Sequence, residues 1–227
     1  MSTSPVFARP VAELALGLTL SLLREIHINH NNFINNNEKY GLTSNENAKL
    51  LTNKKIGLIG FGDLGKSLLP LIKPFTNQIF VYDPWISSHK IKKEGVKPTT
   101  FKNLLKISDV IYILASVTTK NIGMIGLREL NMVKKGSLII LMSRAALIKF
   151  PDLIKKIKKG HLHFATDVFP EEPVPKSNPI RRLKNVILSA HRAGALRETF
   201  KDMGEIVYND MSLIIKNLPP KFCKKAE

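Results

Sequence analysis

The sequence has 227 residues, 44% of them hydrophobic, and this length allows one large domain or one domain with appendages. The single cysteine, Cys223, excludes an intrachain disulfide and favours a reducing compartment, so we expect a cytoplasmic protein. The formal net charge of +17 comes mostly from scattered lysines without aromatic neighbours or a nucleic-acid-binding signature, so we expect no nucleic-acid partner.

The first predicted element is a helix from Val11 to Ile26 that is apolar on nearly all sides. Such a helix must be buried, and we expect another chain or a domain outside this sequence to cover it. Glu13 interrupts the apolar run, which is also shorter than the about 20 residues that cross a bilayer. No small-residue cleavage site follows it. We therefore predict neither a membrane span nor a secretory signal, and assign residues 1–29 to an interdomain or dimerisation helix.

Residues 27–41, HINHNNFINNNEKYG, contain few apolar side chains. This composition predicts a linker or a disordered loop, and we assign residues 30–54 to an Asn-rich linker. His27 and His30 have no carboxylate or cysteine nearby at a suitable spacing, so we predict no metal site.

From residue 55 to 195, short apolar runs alternate with helical stretches. The predicted strands are KIGLIG (55–60), QIFVYD (78–83), DVIYILA (109–115), SLIILMS (137–143), HFATDVF (163–169) and NVILSA (185–190). The predicted helices lie within 65–75, 101–107, 127–133 and 150–160. Continuous apolar strands separated by helices indicate a doubly wound parallel α/β sheet, in which ligands bind at the carboxyl ends of the strands.

The first strand leads directly into GFGDLG, which has the glycine spacing of a dinucleotide-binding turn. In such a turn Gly60 permits the tight bend, Gly62 lets the backbone approach a pyrophosphate, and Gly65 lets the helix pack closely on the strand. A glycine turn without a ligand is the alternative.

Asp83 ends the second strand, 18 residues after Gly65. A carboxylate there can accept hydrogen bonds from ribose hydroxyls and repels a 2′-phosphate, which favours NAD over NADP. The charge of Asp63 is unfavourable for a phosphate unless its side chain turns outward and only its backbone N–H is used.

Polar side chains lie at or after the ends of three later strands. Arg144 comes after the fourth, Asp167 and Glu172 lie in ATDVFPEEPVP, and His191 follows the last strand. Together they could bind an anionic substrate, orient an imidazole and move a proton. Taken singly, each could instead be a surface residue of a turn or loop.

The motifs GFGDLG, YDPW, SVTTKNIGMIG, SRAALI, ATDVFPEEPVP and LSAHRAGA resemble, in order and spacing, those of the NAD-dependent D-2-hydroxyacid dehydrogenases. This family includes phosphoglycerate, glycerate and formate dehydrogenases. The resemblance extends from about Pro10 to the end of the chain. Ala145 and Ala190 depart from it, since the family usually has glycine and proline there.

The resemblance implies a role for each catalytic candidate. Arg144 matches the arginine that binds the substrate's carboxylate and carbonyl, and His191 matches the acid/base that protonates the carbonyl oxygen. Glu172 matches the carboxylate that hydrogen-bonds the histidine and favours its charged form. Glu171 is then an exposed neighbour, and Arg192 has a secondary role in cofactor or partner contact.

The resemblance also implies a set of cofactor-binding residues. Asp167 matches the residue that holds the carboxamide of the nicotinamide. The full set is Gly60, Gly62, Asp63, Leu64, Gly65, Asp83, Pro84, Ala115, Thr118, Met142, Ser143, Asp167 and Gly194.

Members of this family begin with about a hundred residues of substrate-binding domain, completed by a returning C-terminal helix. Here Met1 lies a few residues before the interdomain helix. We therefore expect an N-terminally truncated chain, with a Rossmann domain at 55–195 and the flanking helices of a largely missing substrate domain. Residues 196–227 are assigned to the returning helix.

The expected activity is the NAD-dependent interconversion of a small 2-keto acid and a D-2-hydroxy acid by a homodimer. The alternatives are an NAD-binding module without turnover that acts through protein contacts, and a fragment of a dehydrogenase.

Overall fold

Seven parallel strands form one sheet in residues 1–224, the part of the chain that the computed structural model describes. They are β1 (Ile56–Ile59), β2 (Ile79–Tyr82), β3 (Lys97–Pro98), β4 (Val110–Ile113), β5 (Ser137–Leu141), β6 (Leu162–Thr166) and β7 (Val186–Leu188). Their spatial order is β3-β2-β1-β4-β5-β6-β7, so the direction of strand progression reverses between β1 and β4. A ligand crevice opens at such a reversal, beyond the carboxyl ends of the strands.

All the predicted strands are present, each somewhat shorter than predicted, and every pairing is parallel. The doubly wound α/β fold is therefore confirmed. The prediction missed β3, because the pair Lys97–Pro98 has no apolar run. This strand contacts only β2, and an edge is where a sheet tolerates proline.

Eight helices accompany the sheet in the described residues. They are α1 (Ala8–Leu23), α2 (Ile26–Ile34), α3 (Asp63–Ile72), α4 (Ser88–Lys93), α5 (Phe101–Ile107), α6 (Leu127–Leu130), α7 (Phe150–Lys158) and α8 (Arg197–Ile215). The four predicted helical stretches correspond to α3, α5, α6 and α7. The prediction missed α4, a short helix capped by the Ser87 hydroxyl, which accepts a hydrogen bond from the Lys90 N–H.

Two hydrophobic clusters cover the two faces of the sheet. Leu58 in β1 packs on one side with α1 and α3, whereas the next residue, Ile59, packs on the other with α5 and α7. Side chains alternate between the faces of a strand, so a strand covered on both sides is apolar throughout. This burial explains why the strands could be read from the sequence.

Helix α1 packs against α3 and the sheet of its own chain. Its buried residues are Ala8, Val11, Ala12, Ala15, Leu18, Thr19, Leu22 and Leu23. The expectation that another chain or an absent domain must cover this helix was therefore wrong for these eight residues, which its own chain covers. Only a stripe around the exposed Glu13 and Gly17 faces away from the core. Residues Ser4–Leu23 have the length and hydropathy of a membrane span, but they occupy the position of a core helix.

Helix α2 lies mostly where the sequence predicted a linker or a disordered loop, so that prediction was wrong over residues 27–34. Glu25 adopts a left-handed conformation (φ 52°) and lets a new helix start directly after α1. None of its residues is fully buried, and asparagine is a weak helix former, so neither composition nor periodicity indicated a helix.

Candidate active site

A cavity of about 1180 Å³ opens beyond the carboxyl ends of the strands. The predicted residues that line it are Gly60, Gly62, Asp63, Leu64, Asp83, Pro84, Ala115, Thr118, Met142, Ser143, Arg144, Asp167, His191 and Gly194. Gly65 and Glu172 are absent from its lining. The predicted residues that line the cavity are thus brought together at one edge of the sheet, whereas Gly65 is buried beneath the turn and Glu172 is exposed beside His191.

The glycines of the turn after β1 have distinct steric roles. Gly60 has a φ of +93°, and a Cβ there would lie 2.5 Å from the Ala115 backbone nitrogen. A Cβ on Gly65 would lie 2.9 Å from the Gly60 carbonyl oxygen, so glycine lets α3 pack closely on the turn. At Gly62 a Cβ would meet nothing within 4 Å. The space beside Gly62 is therefore open to a ligand.

Helix α3 begins at Asp63, and no side chain caps its N-terminus. The first backbone N–H groups of a helix lack partners within the helix and bind anions well. With the open space beside Gly62, these donors fit the pyrophosphate of a dinucleotide.

Asp83, at the end of β2, organises the neighbouring backbone. Its Oδ2 accepts a hydrogen bond from the Phe61 N–H at 2.7 Å, and its Oδ1 accepts one from the Trp85 N–H at 2.8 Å and one from the Ile86 N–H at 3.2 Å. An ionised carboxylate offers about four acceptor positions. Asp83 therefore keeps capacity for a ribose hydroxyl, a fit that agrees with its predicted role.

Glu172 and His191 are directly hydrogen-bonded. The Glu172 Oε2 lies 2.7 Å from the His191 Nδ1, while the Glu172 Oε1 accepts a hydrogen bond from the Phe169 N–H at 2.8 Å. Because the carboxylate engages Nδ1, proton exchange with a ligand in the cavity falls to Nε2. Glu171 is exposed, as predicted.

The pKa of Glu172 lies below its ordinary value of 4.5. Desolvation raises this pKa, but the hydrogen bonds with His191 and the Phe169 N–H, together with the positive charges of His191 and Arg144, outweigh it. Glu172 is therefore ionised at neutral pH.

The turn that carries His191 is strained and held in place by Asp167. His191 has a φ of +49°, a left-handed conformation that is uncommon for residues other than glycine. Buried Asp167 accepts hydrogen bonds from the Arg192 N–H at 3.0 Å and the Ala193 N–H at 2.9 Å. Asp167 thus fixes the histidine turn, a role that the sequence did not indicate.

Arg144 follows β5 and its guanidinium donates to the Ser143 carbonyl at 2.8 Å. It lines the same cavity as His191. A guanidinium beside an imidazole–carboxylate pair can bind an anionic ligand while the histidine exchanges a proton with it.

Other lining residues were missed by sequence reasoning. Phe7 comes from the N-terminal segment and packs on Gly194, where a Cβ would lie 2.6 Å from its ring. Asn121 fixes the loop before α6 by accepting from the Thr118 N–H and donating to the Ser116 carbonyl, and Lys224 comes from the C-terminal tail. No sequence pattern places the two ends of the chain at this cavity.

Among residues 1–224, no group of three His, Cys, Asp or Glu side chains is placed to hold a metal ion.

Known protein families and structures match this chain. The family "D-isomer specific 2-hydroxyacid dehydrogenase, NAD binding domain" matches residues 16–193. The D-3-phosphoglycerate dehydrogenase of Archaeoglobus fulgidus is 32% identical over 170 residues, which cover 74% of this chain and 32% of that protein. The glyoxylate reductase of Thermococcus litoralis is 33% identical over 177 residues, which cover 77% of this chain and 53% of that protein.

A crystal structure of a phosphoglycerate oxidoreductase from Rhizobium etli superposes with a TM-score of 0.90 and 40% sequence identity. The match covers 97% of this chain and 71% of that chain. The chain spans about a third of the length of the first of these curated relatives and about half of the length of the second. The family predicted from the motifs is confirmed, as is NAD as the cofactor of its matching domain. The chain therefore belongs to the D-isomer specific 2-hydroxyacid dehydrogenases, and its Rossmann fold is the NAD-binding domain of that family.

Proposed function

We propose that the protein is an oxidoreductase that interconverts a 2-keto acid and a D-2-hydroxy acid with NAD as cofactor. The observation that carries this proposal is the 2.7 Å contact between Glu172 and His191, which lies at the cavity that Arg144 also lines. These are the residue types that reduction of a keto acid requires, namely a cation for the carboxylate and a poised acid for the carbonyl oxygen.

The residues that would hold NAD follow from the fit described above. The N-terminus of α3 and Gly62 would bind the pyrophosphate, and Asp83 would bind the adenosine ribose. Asp167, buried but part of the cavity lining, would face the nicotinamide end. The chemistry supplied by the bound cofactor is the transfer of a hydride.

In the direction of reduction, His191 would donate a proton from Nε2 to the carbonyl oxygen of the substrate. Glu172 fixes the imidazole ring through Nδ1, and its carboxylate would stabilise the positive charge of a protonated His191. Arg144 would bind the substrate carboxylate through paired N–H donors. In the reverse direction, His191 would take the hydroxyl proton, so one residue serves as acid and as base.

Four turnover measurements test the proposal. Purified protein is mixed with NADH and a panel of 2-keto acids, and NADH oxidation is followed by absorbance. We expect turnover with at least one acid in the wild type, and its loss in Arg144→Ala and in His191→Ala, with Glu171→Gln as the matched surface control. Turnover that both alanine variants retain would contradict the assignment. NAD binding without any turnover would instead support a binding module that acts through protein contacts.

Several organisational expectations remain predictions. Limited proteolysis tests the domain boundaries. We propose an interdomain or dimerisation helix within 1–29, a linker in the part of 30–54 that follows α2, the NAD domain at 55–195, and a returning segment at 196–227. In that last segment the structure shows α8 at Arg197–Ile215, and residues 225–227 lie outside the described residues. A homodimer would use the exposed stripe of α1 around Glu13 and Gly17, and light scattering measures its mass. Cytoplasmic location is tested by fractionation of cells.

A further inference from the structure

The C-terminal tail after α8 is fixed to the fold at two places. The carboxylate of Asp210, a buried residue of α8, accepts hydrogen bonds from the Lys221, Phe222 and Cys223 N–H groups at 2.7, 3.0 and 2.6 Å. These bonds lower the pKa of Asp210 to about 2 against the opposing effect of desolvation, so the carboxylate remains charged at all physiological pH values. The tail thus folds back against α8 around the ionised carboxylate of Asp210.

The second anchor joins the two ends of the described chain. The Ser2 N–H donates to the Lys224 carbonyl at 2.7 Å, and the Lys224 N–H donates to the Ser2 carbonyl at 2.9 Å. This reciprocal pair is an isolated antiparallel bridge. With the three preceding residues held by Asp210, the backbone of Lys224 is positioned from both sides.

The side chain of Lys224 reaches the glycine turn of the dinucleotide site. Its Nζ lies 3.2 Å from the Oδ2 of Asp63, and both residues line the cavity. Asp63 is the first residue of α3 and directly follows Gly62, beside which the open space for the pyrophosphate lies. A carboxylate at this point repels an anionic ligand, and a cation at 3.2 Å offsets that repulsion.

We propose that Lys224 is a cofactor-binding residue, which neutralises Asp63 and places a positive charge beside the pyrophosphate of NAD. The proposal rests on the proposed function only in its choice of ligand. It assigns a role to the tail, which no motif in the sequence indicated, and it explains how a glycine turn that carries an aspartate can accept a diphosphate.

The test measures binding rather than activity. The dissociation constants of NAD and of ADP-ribose are measured by calorimetry for the wild type and for Lys224→Met, and adenosine binding is compared by NMR. We expect Lys224→Met to raise the dissociation constants of NAD and ADP-ribose by about three- to tenfold. The affinity for adenosine should not change, because only NAD and ADP-ribose contain the diphosphate. The loss should shrink at high salt, since the side chains of this pair are partly exposed.

Lys221→Met is the matched control, because it removes the same charge from the same tail. The Lys221 side chain has no ion-pair partner among residues 1–224 and lies outside the cavity lining. We expect the Lys221→Met variant to bind NAD as tightly as the wild type does. In Asp63→Asn/Lys224→Met, where both charges are gone, we expect affinity to recover toward the wild-type value.

Unchanged affinity in Lys224→Met would overturn the proposal. Tighter binding in that variant would also overturn it, because it would mean that the tail obstructs the site. Failure of the wild type to bind NAD at all would instead overturn the proposed function, so the two failures are distinguishable.

Discussion

The Nδ1 of His191 lies 2.7 Å from the Oε2 of Glu172, and separate hydrogen bonds hold the segment on each side of this contact. The Phe169 N–H fixes the other oxygen of Glu172, and Asp167 fixes the turn that follows His191. The geometry of the pair is therefore set by the backbone around it, as the proposed role of His191 as proton donor would require.

Replacing Glu172 by glutamine should lower kcat by about ten- to a hundredfold, because the amide cannot stabilise a charged imidazole. Glu171→Gln changes the adjacent exposed residue in the same way and should leave kcat unchanged. Steady-state kinetics on both variants checks this. Equal effects of the two substitutions would remove Glu172 from the mechanism.

Acid should weaken the contribution of this pair to stability. The pKa of Glu172 is lower in the folded protein than its ordinary value of 4.5, so the contribution is fully present above pH 4.5 and is lost as pH falls through the lowered value. The difference in the free energy of unfolding between wild type and Glu172→Gln should be present at about pH 5 and shrink below 4.5. Urea denaturation across this range measures it. A difference that grows as the pH falls below 4.5 would contradict the assignment.

The two glycines of the dinucleotide turn should respond differently to alanine. At Gly60 the Cβ would clash with the Ala115 backbone in a left-handed conformation, so Gly60→Ala should lower the free energy of unfolding by about 1 to 3 kcal/mol. Gly62→Ala meets no protein atom within 4 Å and should leave stability unchanged while weakening NAD binding.

Urea denaturation and calorimetry on each glycine variant separate the two effects. Tight NAD binding by Gly62→Ala would show that the pyrophosphate does not lie beside this residue.

A buried hydrogen bond ties α1 to the sheet. The Tyr112 hydroxyl lies 2.7 Å from the Thr19 hydroxyl, which donates to the Ala15 carbonyl, and both side chains are buried. Thr19→Val leaves the phenol without its partner and should cost about 1 to 3 kcal/mol, whereas Tyr112→Phe should cost about 1 kcal/mol.

The double variant Thr19→Val/Tyr112→Phe should cost less than the sum of the single variants, because no polar group is then left unpaired. Urea denaturation provides the four values of this cycle. Strictly additive costs would show that the two hydroxyls do not interact.

The sequence predicted those parts of the fold that are buried on both sides. Strands such as β5 (Ser137–Leu141) are continuous apolar runs because both faces are covered, and this signal does not depend on distant residues. Exposed or very short elements carry no such signal, which is why β3 and α2 were missed. The apolar surface of α1 was recognised, but the sequence could not show that its own sheet covers it.

The candidate site was predictable where it follows directly from strand ends. Arg144 and His191 each follow a strand of one parallel sheet, and parallel strands bring their carboxyl ends together. The role of Glu172 as the partner of His191 was instead predicted from the resemblance to a family, because Glu172 lies in a loop without a helix or strand. Phe7 and Lys224 approach the cavity from the two ends of the chain, a long-range arrangement that no local pattern encodes.

Hydride transfer to a keto acid is tested most directly with NADH that carries deuterium at the transferred position. We expect the wild type to yield a D-2-hydroxy acid with deuterium on carbon 2, detected by mass spectrometry and chiral chromatography. His191→Ala should form this product at least about a hundredfold more slowly. Absence of labelled product with every acid tested, or an L-configured product, would contradict the proposed function.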